Sequence, residues 1–117
     1  MWIRNTNANH GDVFVNCTFE GLGDDTELAR SPVNKGTGYP YAEAVLIGCK
    51  LKNIAPCGWK SIDGDTTYVR FWEFDSRDFN GNPVDVSRRH PASRQLNAEK
   101  DKAIIASYKS RQFVLGW

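Results

Sequence analysis

The sequence has no long apolar run, no excess of charge of one sign and few cysteines, and these absences exclude several classes of protein. No apolar stretch approaches the roughly 20 residues that a membrane-spanning helix needs. The 15 basic and 14 acidic residues are interspersed and leave a net charge of +1, so no bulk field draws the chain to nucleic acid or to an anionic membrane. The three cysteines, Cys17, Cys49 and Cys57, lack the spacing of metal ligands. We therefore expect neither a metal nor a cofactor.

The composition is that of an ordinary globular protein. Of the 117 residues, 40% are apolar and 25% are charged, which argues against disorder. Residues 1–117 form one domain or part of a larger one. No signal-peptide pattern is present, and Asp24 and Asp25 follow glycines in a predicted turn, where adjacent aspartates are typically solvated.

Alternating apolar residues predict two strands that can be aligned. Val13, Val15, Cys17 and Phe19 are expected on one face of the first run. If Cys17 is set against Cys49, three further like pairs form: Val13 with Val45, Val15 with Ile47, and Phe19 with Leu51. Stacked like residues are typical of a parallel β-helix.

A third run, from Thr67 to Phe74, joins this stack less regularly. Val69 can lie over Val45 and Phe71 over Ile47, but the opposite face of the same run is equally plausible: Tyr68, Arg70, Trp72 and Phe74. The spacing between the runs is also unequal, so an antiparallel β-sandwich remains the second fold prediction.

The C-terminal part predicts a short helix. Asn97 can cap it, Glu99 and Asp101 fall in its first turn, and Ile104, Ile105 and Tyr108 give it an apolar stripe. The last residues are expected to pack back onto the strands. Cys17 and Cys49 are expected as stacked, apolar thiols, with a disulfide as the alternative if the chain is exported. His10 is expected at the surface.

Arg30 is the first candidate functional residue. It lies in a short apolar-flanked segment that Pro32 ends, before a loop rich in Gly, Asn and Tyr. An arginine on an extended segment beside a loop can present its planar fork to a carboxylate in a cleft, although pairing with a surface acid is the commoner role.

An ordered set of motifs resembles the later part of the pectin methylesterase (pectinesterase) family, closest to its bacterial branch. The motifs cover most of the chain from Val13 onward: Phe14-Val15-Asn16-Cys17-Thr18-Phe19, Leu28-Ala29-Arg30-Ser31-Pro32, Tyr39-Pro40-Tyr41-Ala42-Glu43-Ala44-Val45, Gly58-Trp59, Phe71-Trp72-Glu73-Phe74-Asp75-Ser76 and Leu115-Gly116-Trp117. The resemblance implies an all-β fold, a right-handed parallel β-helix of which this chain forms the C-terminal coils, followed by a short C-terminal helix.

The resemblance also implies a function, the hydrolysis of methyl esters in the polygalacturonate of cell-wall pectin by an aspartyl-esterase mechanism. In that family one aspartate attacks the ester, a second acts as general acid and then base, and glutamines stabilise the oxyanion. Of these catalytic parts only the arginine carries over, onto Arg30, where it would orient the nucleophilic carboxylate and contact the sugar acid. The aspartate and glutamine motifs are not in this sequence.

Tyr39 and Tyr41 are candidate substrate-binding residues. Many family members place a sugar-stacking tryptophan just after the Arg-Pro pair, whereas Val33 follows Pro32 here. Either tyrosine could replace that ring, and packing of the loop by both is an equal alternative.

These expectations lead to a hypothesis about the chain as a whole. It would be the C-terminal part of an esterase that is secreted or periplasmic, and its exposed coil edge would favour self-association. The isolated part would be inactive. Two alternatives remain, a non-catalytic carbohydrate-binding or structural β-helix, and an esterase or thioesterase of the same scaffold with another substrate.

Overall fold

Eight short strands and two short helices make up the regular structure of the residues that are described. The computed structural model describes residues 1, 3–23, 26–33 and 36–116, without the side chains of residues 60, 61 and 111. The strands are β1 (Asp12–Val15), β2 (Thr18–Glu20), β3 (Ala29–Ser31), β4 (Glu43–Ile47), β5 (Lys50–Lys52), β6 (Trp59–Ile62), β7 (Arg70–Phe74) and β8 (Ser93–Gln95), and the helices are α1 (Lys102–Tyr108) and α2 (Arg111–Leu115). Asp24, Asp25 and Trp117, named above, lie outside the described residues.

The first two strand pairs have the predicted register. β1 pairs with β4 in parallel, with Val13 opposite Val45. β2 pairs with β5 in parallel, with Phe19 opposite Leu51. The alignment of the two runs is therefore confirmed at the level of individual residues.

The predicted register of the third run is wrong. β7 lies parallel to β4, but Trp72 is opposite Val45 and Phe74 is opposite Ile47. Val69 therefore does not lie over Val45, and the alternative face of this run is the one that continues the stack. The bulky rings of Trp72 and Phe74 pack against the apolar cluster that includes Ile105 and Tyr108 of helix α1.

Three residues with left-handed backbones end β1, β4 and β7 at the same register position. Asn16, Gly48 and Asp75 have φ values of 56°, 65° and 54°. Glycine, asparagine and aspartate adopt this conformation most readily. At Gly48 a Cβ atom would lie 2.6 Å from Oδ1 of Asn16, so a larger residue there requires the Asn16 side chain to move. These bends turn each segment out of the sheet and reverse which side chains point inward.

The expected fold class, an all-β right-handed parallel β-helix, is wrong. The described strands form three separate parallel sheets, with orders β1-β4-β7-β8, β2-β5 and β3-β6, and two helices accompany them. Only the first sheet extends beyond two strands, because the chain after β7 enters turns and helices instead of repeating the preceding path. The fold is a small mixed structure of sheets and helices with a radius of gyration of 13.9 Å. The antiparallel sandwich is also wrong, since every pair of named strands is parallel.

The four-stranded sheet has an apolar cluster on each face. One cluster includes Leu46, Trp59 and Phe71, which are fully buried. The other lies between the sheet and α1 and includes Val45 and Ile47. Val13 and Val15 pack against this second cluster, whereas Cys17 and Phe19 pack against the first. The expectation of one shared face for these four residues is wrong, because the left-handed bend at Asn16 lies between the two pairs.

Helix α1 has the predicted stripe but begins later than expected. Ile105 and Tyr108 are buried and Ile104 packs beside them. Oδ1 of Asn97 accepts hydrogen bonds from the N–H groups of Glu99 and Lys100. Asn97 therefore caps a turn that precedes the helix. Neither described helix has the length or the apolar character to cross a bilayer.

The three cysteines are free thiols in this structure. Cys49 is buried in the first apolar cluster and Cys17 packs against it. Burial raises the pKa of the Cys49 thiol, so this sulfur stays neutral and packs as a small apolar group. The prediction of stacked apolar thiols is confirmed for this pair.

A buried ion pair lies beside the first cluster. The carboxylate of Glu73 is fully buried and accepts hydrogen bonds from Nε and Nη2 of Arg89 at 2.9 and 3.1 Å. Nε2 of Gln95 donates a third, at 2.8 Å. Burial alone would raise the pKa of Glu73, but the hydrogen bonds and positive charge of Arg89, together with further hydrogen bonds such as that from Gln95, lower the pKa below its ordinary value.

We expect Arg89→Ala to lower the free energy of unfolding by about 3–5 kcal/mol, because it leaves a buried charge without its partner. Urea denaturation followed by circular dichroism measures this change.

The matched control is Arg77→Ala. Arg77 pairs with Asp75, and both side chains are more than 40% exposed. An exposed pair contributes about 1 kcal/mol or less. Equal losses in the two variants would contradict the structural role given to Arg89.

Candidate functional site

Arg30 occupies the middle of β3 on a backbone that is held from both sides. Its neighbours Ala29 and Ser31 are buried while Arg30 is exposed. The N–H of Arg30 donates to the carbonyl of Met1 at 2.8 Å, and the carbonyl of Arg30 accepts from Ile3 at 2.9 Å. On the other side β3 pairs with β6. The sequence prediction that Arg30 lies on a short extended segment is confirmed.

The structure separates the two candidate tyrosines. Tyr39 is partly buried and packs against the first apolar cluster. Tyr41 is 37% exposed and stacks on Tyr68, with ring centroids 5.2 Å apart and planes 15° from parallel. Tyr39 therefore has a packing contact, while Tyr41 belongs to an exposed aromatic pair.

A second polar site lies where β1, β4 and β7 begin. Glu43, the first residue of β4, is only 2% exposed. Its Oε1 contacts Nδ1 of His10 at 2.8 Å and accepts the N–H of Gly11 at 3.0 Å. Its Oε2 accepts from Nη1 of Arg70 at 3.3 Å and from the hydroxyl of Tyr108. We call these residues, without Gly11, the Glu43 cluster.

Local backbone contacts explain why these residues meet. Arg70 is opposite Glu43 in the parallel register of β4 and β7. Gly11 passes so close to β4 that a Cβ atom on it would lie 2.0 Å from the carbonyl oxygen of Glu43. Asn5 fixes the preceding loop, since its Oδ1 accepts the N–H of Glu43 at 2.8 Å and its Nδ2 donates to the carbonyl of Tyr41 at 2.9 Å.

The cluster keeps Glu43 ionised and Tyr108 neutral. Burial alone would raise the pKa of Glu43, but hydrogen bonds from Tyr108, Gly11 and His10 lower it below its ordinary value. Burial and the adjacent Glu43 carboxylate raise the pKa of Tyr108 to about 12. Tyr108 therefore keeps its proton and donates a hydrogen bond to this carboxylate across the neutral pH range.

A cavity of about 370 Å³ opens beside the cluster. Its walls are residues 5–10 on one side and Tyr41, Glu43, Tyr68 and Arg70 on the other. Ala8 is the one aliphatic side chain among these lining residues, and the others are polar or aromatic. A volume of this size lies within the range of small-molecule sites.

Comparisons of the chain with protein-family models, with curated proteins and with solved structures find no match. The resemblance to pectinesterases therefore depends on the motifs in the sequence. Among the described residues, no group of three or more His, Cys, Asp or Glu side chains could hold a metal ion.

Sequence reasoning missed the Glu43 cluster. His10, expected as a simple surface residue, is partly buried and contacts a buried carboxylate. Glu43 lies in one of the motifs that resemble pectinesterases, but the sequence predicted no functional role for it. The available signal was a glutamate followed directly by an apolar strand, since a buried carboxylate there requires partners from elsewhere in the fold.

We expect Glu43→Gln to lower the free energy of unfolding at neutral pH by about 2 kcal/mol, because it removes charge-assisted hydrogen bonds. A lowered pKa in the folded state stabilises the protein fully above the ordinary value of 4.5, and this stabilisation is lost as the pH falls through the lowered pKa. The difference in the free energy of unfolding between the wild type and the variant should therefore become smaller in acid. Urea denaturation at a series of pH values measures it.

Glu20→Gln is the control, since Glu20 is 57% exposed and pairs with Lys52 at 3.6 Å. Its free energy of unfolding should differ little from that of the wild type at neutral pH, because an exposed pair contributes about 1 kcal/mol or less. If the loss of unfolding free energy in Glu43→Gln stayed constant from neutral pH to acid, it would contradict the lowered pKa of Glu43.

Proposed function

We propose that this chain carries the substrate-binding arginine of a pectinesterase-like carboxylic ester hydrolase that acts on methyl-esterified polygalacturonate. The support from the sequence is the ordered set of motifs around Arg30. The aspartates and glutamines that perform the chemistry in that family have no counterpart motifs in residues 1–117. The proposed role of this chain is therefore to bind and orient, and by itself the chain leaves the ester intact.

The fixed position of Arg30 is the observation that carries the proposal. Its backbone bonds to residues 1 and 3 on one side, and β3 pairs with β6 on the other. An arginine on such a backbone starts from a fixed Cα position, so its planar fork loses less freedom when it binds a carboxylate. Arg30 is exposed, whereas the residues on either side of it are buried, so its side chain is accessible from solvent. The carboxylate of a galacturonate residue is a suitable partner for a bidentate guanidinium contact.

The same guanidinium would serve the reaction in a complete enzyme of this type. A carboxylate is a weak nucleophile, and a fixed cation beside it holds its orientation and its charge. Its oxygen attacks the ester carbonyl, the second carboxylic acid protonates the departing methoxide to give methanol, and water then hydrolyses the acyl-enzyme. In this proposal Arg30 positions the first carboxylate and contacts the sugar acid.

Tyr41 fits a sugar-binding role better than Tyr39 does. The ring of Tyr41 is exposed and already part of a stacked pair, whereas Tyr39 packs against an apolar cluster. The substrate-binding role is therefore proposed for Tyr41, and Tyr39 is assigned to packing of the loop.

We expect Arg30→Ala to weaken the binding of unesterified trigalacturonate about 10- to 100-fold, the equivalent of about 1.5–3 kcal/mol for hydrogen bonds to a charged group. Arg30→Lys should recover part of this loss, since it keeps the charge but not the fork. Isothermal titration calorimetry measures both variants.

The control is Arg88→Ala, which removes another exposed arginine, at a groove that Arg30 does not line. Unchanged affinity in Arg30→Ala, or an equal loss in Arg88→Ala, would contradict the proposal. The wild-type chain should release no methanol from methylated pectin, and measurable release would place the reaction on residues of this chain other than those proposed.

A further inference from the structure

Two of the three thiols lie opposite each other just after β1 and β4 end. The N–H of Asn16 donates to the carbonyl of Ile47 at 2.8 Å, and the N–H of Lys50 donates to the carbonyl of Cys17 at 2.9 Å. The pairing of β1 with β4 therefore continues without a shift into the pairing of β2 with β5, and this register sets Cys17 against Cys49. We propose that these two residues are a redox-active pair, which a hydroperoxide converts into a reversible disulfide. The inference does not depend on the proposed esterase function.

The spacing of paired parallel strands suits such a bond. Neighbouring strands lie about 4.8 Å apart, and the Cα atoms that a disulfide joins are about 4.4–6.8 Å apart. The Cys49 thiol reaches across to β1, where it donates to the carbonyl of Phe14 at 3.6 Å. The Cys17 thiol donates to the next carbonyl of that strand, Val15, at 3.5 Å. Both sulfurs therefore lie at the same end of β1, and both the backbone and the thiol of Cys17 affect the pKa of Cys49.

The two thiols differ in their access to solvent. Cys17 is partly exposed, whereas Cys49 is only 1% exposed. Attack on a peroxide requires a thiolate that the oxidant can reach, and burial raises the pKa of the Cys49 thiol. Cys17 is therefore the thiol that reacts with the oxidant, and Cys49 is the thiol that then forms the disulfide.

The oxidation takes two steps, and its co-reactant is the hydroperoxide. The Cys17 thiolate attacks one oxygen of hydrogen peroxide, so that an S–O bond forms, the O–O bond breaks, and the departing hydroxide takes up the proton that the thiol released. The Cys49 sulfur then attacks the sulfur of the Cys17 sulfenic acid, so that the S–S bond forms, the S–O bond breaks, and the second hydroxide takes the Cys49 proton. The thiols together lose two electrons, and the peroxide is reduced to two molecules of water.

The disulfide ties the edge of the sheet to its interior. β1 is the edge strand of the four-stranded sheet, and β4 is its neighbour. The bond encloses residues 18–48 in a covalent loop, and a cross-link of this kind restricts the unfolded chain. The oxidised protein should therefore unfold at a higher urea concentration than the reduced protein.

The third cysteine provides the matched control. Cys57 is a free thiol and is partly buried, as Cys17 is. It lies in the turn before β6, outside the strand pairings that set Cys17 against Cys49. Access to the oxidant without a partner in register should leave Cys57 outside the disulfide.

The experiment treats the folded wild-type chain with hydrogen peroxide, blocks the remaining thiols with N-ethylmaleimide and maps the peptides by mass spectrometry. Cleavage after lysine and arginine places the three cysteines on different peptides. We expect a single link, between Cys17 and Cys49, and its complete loss with dithiothreitol. Cys57→Ser should form the same link, whereas Cys17→Ser should keep both of its thiols free. The same treatment in concentrated urea should give mixed pairings, because the unfolded chain does not hold the register.

Urea denaturation of the oxidised and reduced chains measures the second consequence. We expect the midpoint to rise by about 1 M or more on oxidation and to return with dithiothreitol.

Four results would overturn the inference. These are links to Cys57 as abundant as the Cys17–Cys49 link, no link at all in the folded chain, the same mixture of links in folded and unfolded chains, and a midpoint that stays equal or falls on oxidation. The binding of trigalacturonate to Arg30 is measured separately on the reduced chain, so the failure of one proposal leaves the other standing.

Discussion

The buried carboxylate of Glu43 connects parts of the chain that are far apart in sequence. It holds the loop before β1 through His10 and Gly11, the start of β7 through Arg70, and helix α1 through Tyr108. A charge buried to this degree is costly unless each of its oxygens is hydrogen-bonded. The four contacts meet that requirement. As a result they fix the N-terminal loop and the helix against the same end of the sheet, where β4 and β7 begin.

The position of the cavity follows from this constraint. Residues 5–10 form one of its walls, and Asn5 and Gly11 hold that segment against β4. Arg70 reaches the opposite wall because the parallel register places it opposite Glu43. Arg30 depends on a different ladder, formed by residues 1 and 3 with β3 and β6. The Glu43 cluster and Arg30 therefore depend on different strand pairings.

Patterns between nearby residues were predicted from the sequence, whereas effects of distant contacts were not. The alignment of Val13 with Val45 and the stripe of α1 follow from local alternation and periodicity, and both are confirmed. The left-handed bend at Asn16 reverses the side-chain faces after it, and alternation alone does not reveal such a reversal. The register that sets Trp72 opposite Val45 packs Trp72 against residues of α1, which lie far along the chain, so alternation within the run does not determine it. The β-helix prediction was wrong for a related reason, since two aligned runs do not establish that the path repeats.

The candidate functional residues show the same difference between local patterns, which the sequence predicts, and distant contacts, which it does not. Arg30 was recognised because its motif and its extended segment are local features, and its exposure on β3 agrees with them. The Glu43 cluster joins residues from His10 to Tyr108, which are 98 positions apart in the sequence, so no short motif contains it. Its members are unremarkable one by one, and only their meeting around one buried carboxylate gives them a role.

Amide hydrogen exchange of the wild type and of Glu43→Gln tests the central claim most directly. If Glu43 couples the N-terminal loop to the helix, the variant loses protection in residues 5–11 and in α1 together, while β3 and β6 keep theirs. Loss of protection in only one of the two segments, or in neither, would contradict the claim that this carboxylate holds them both.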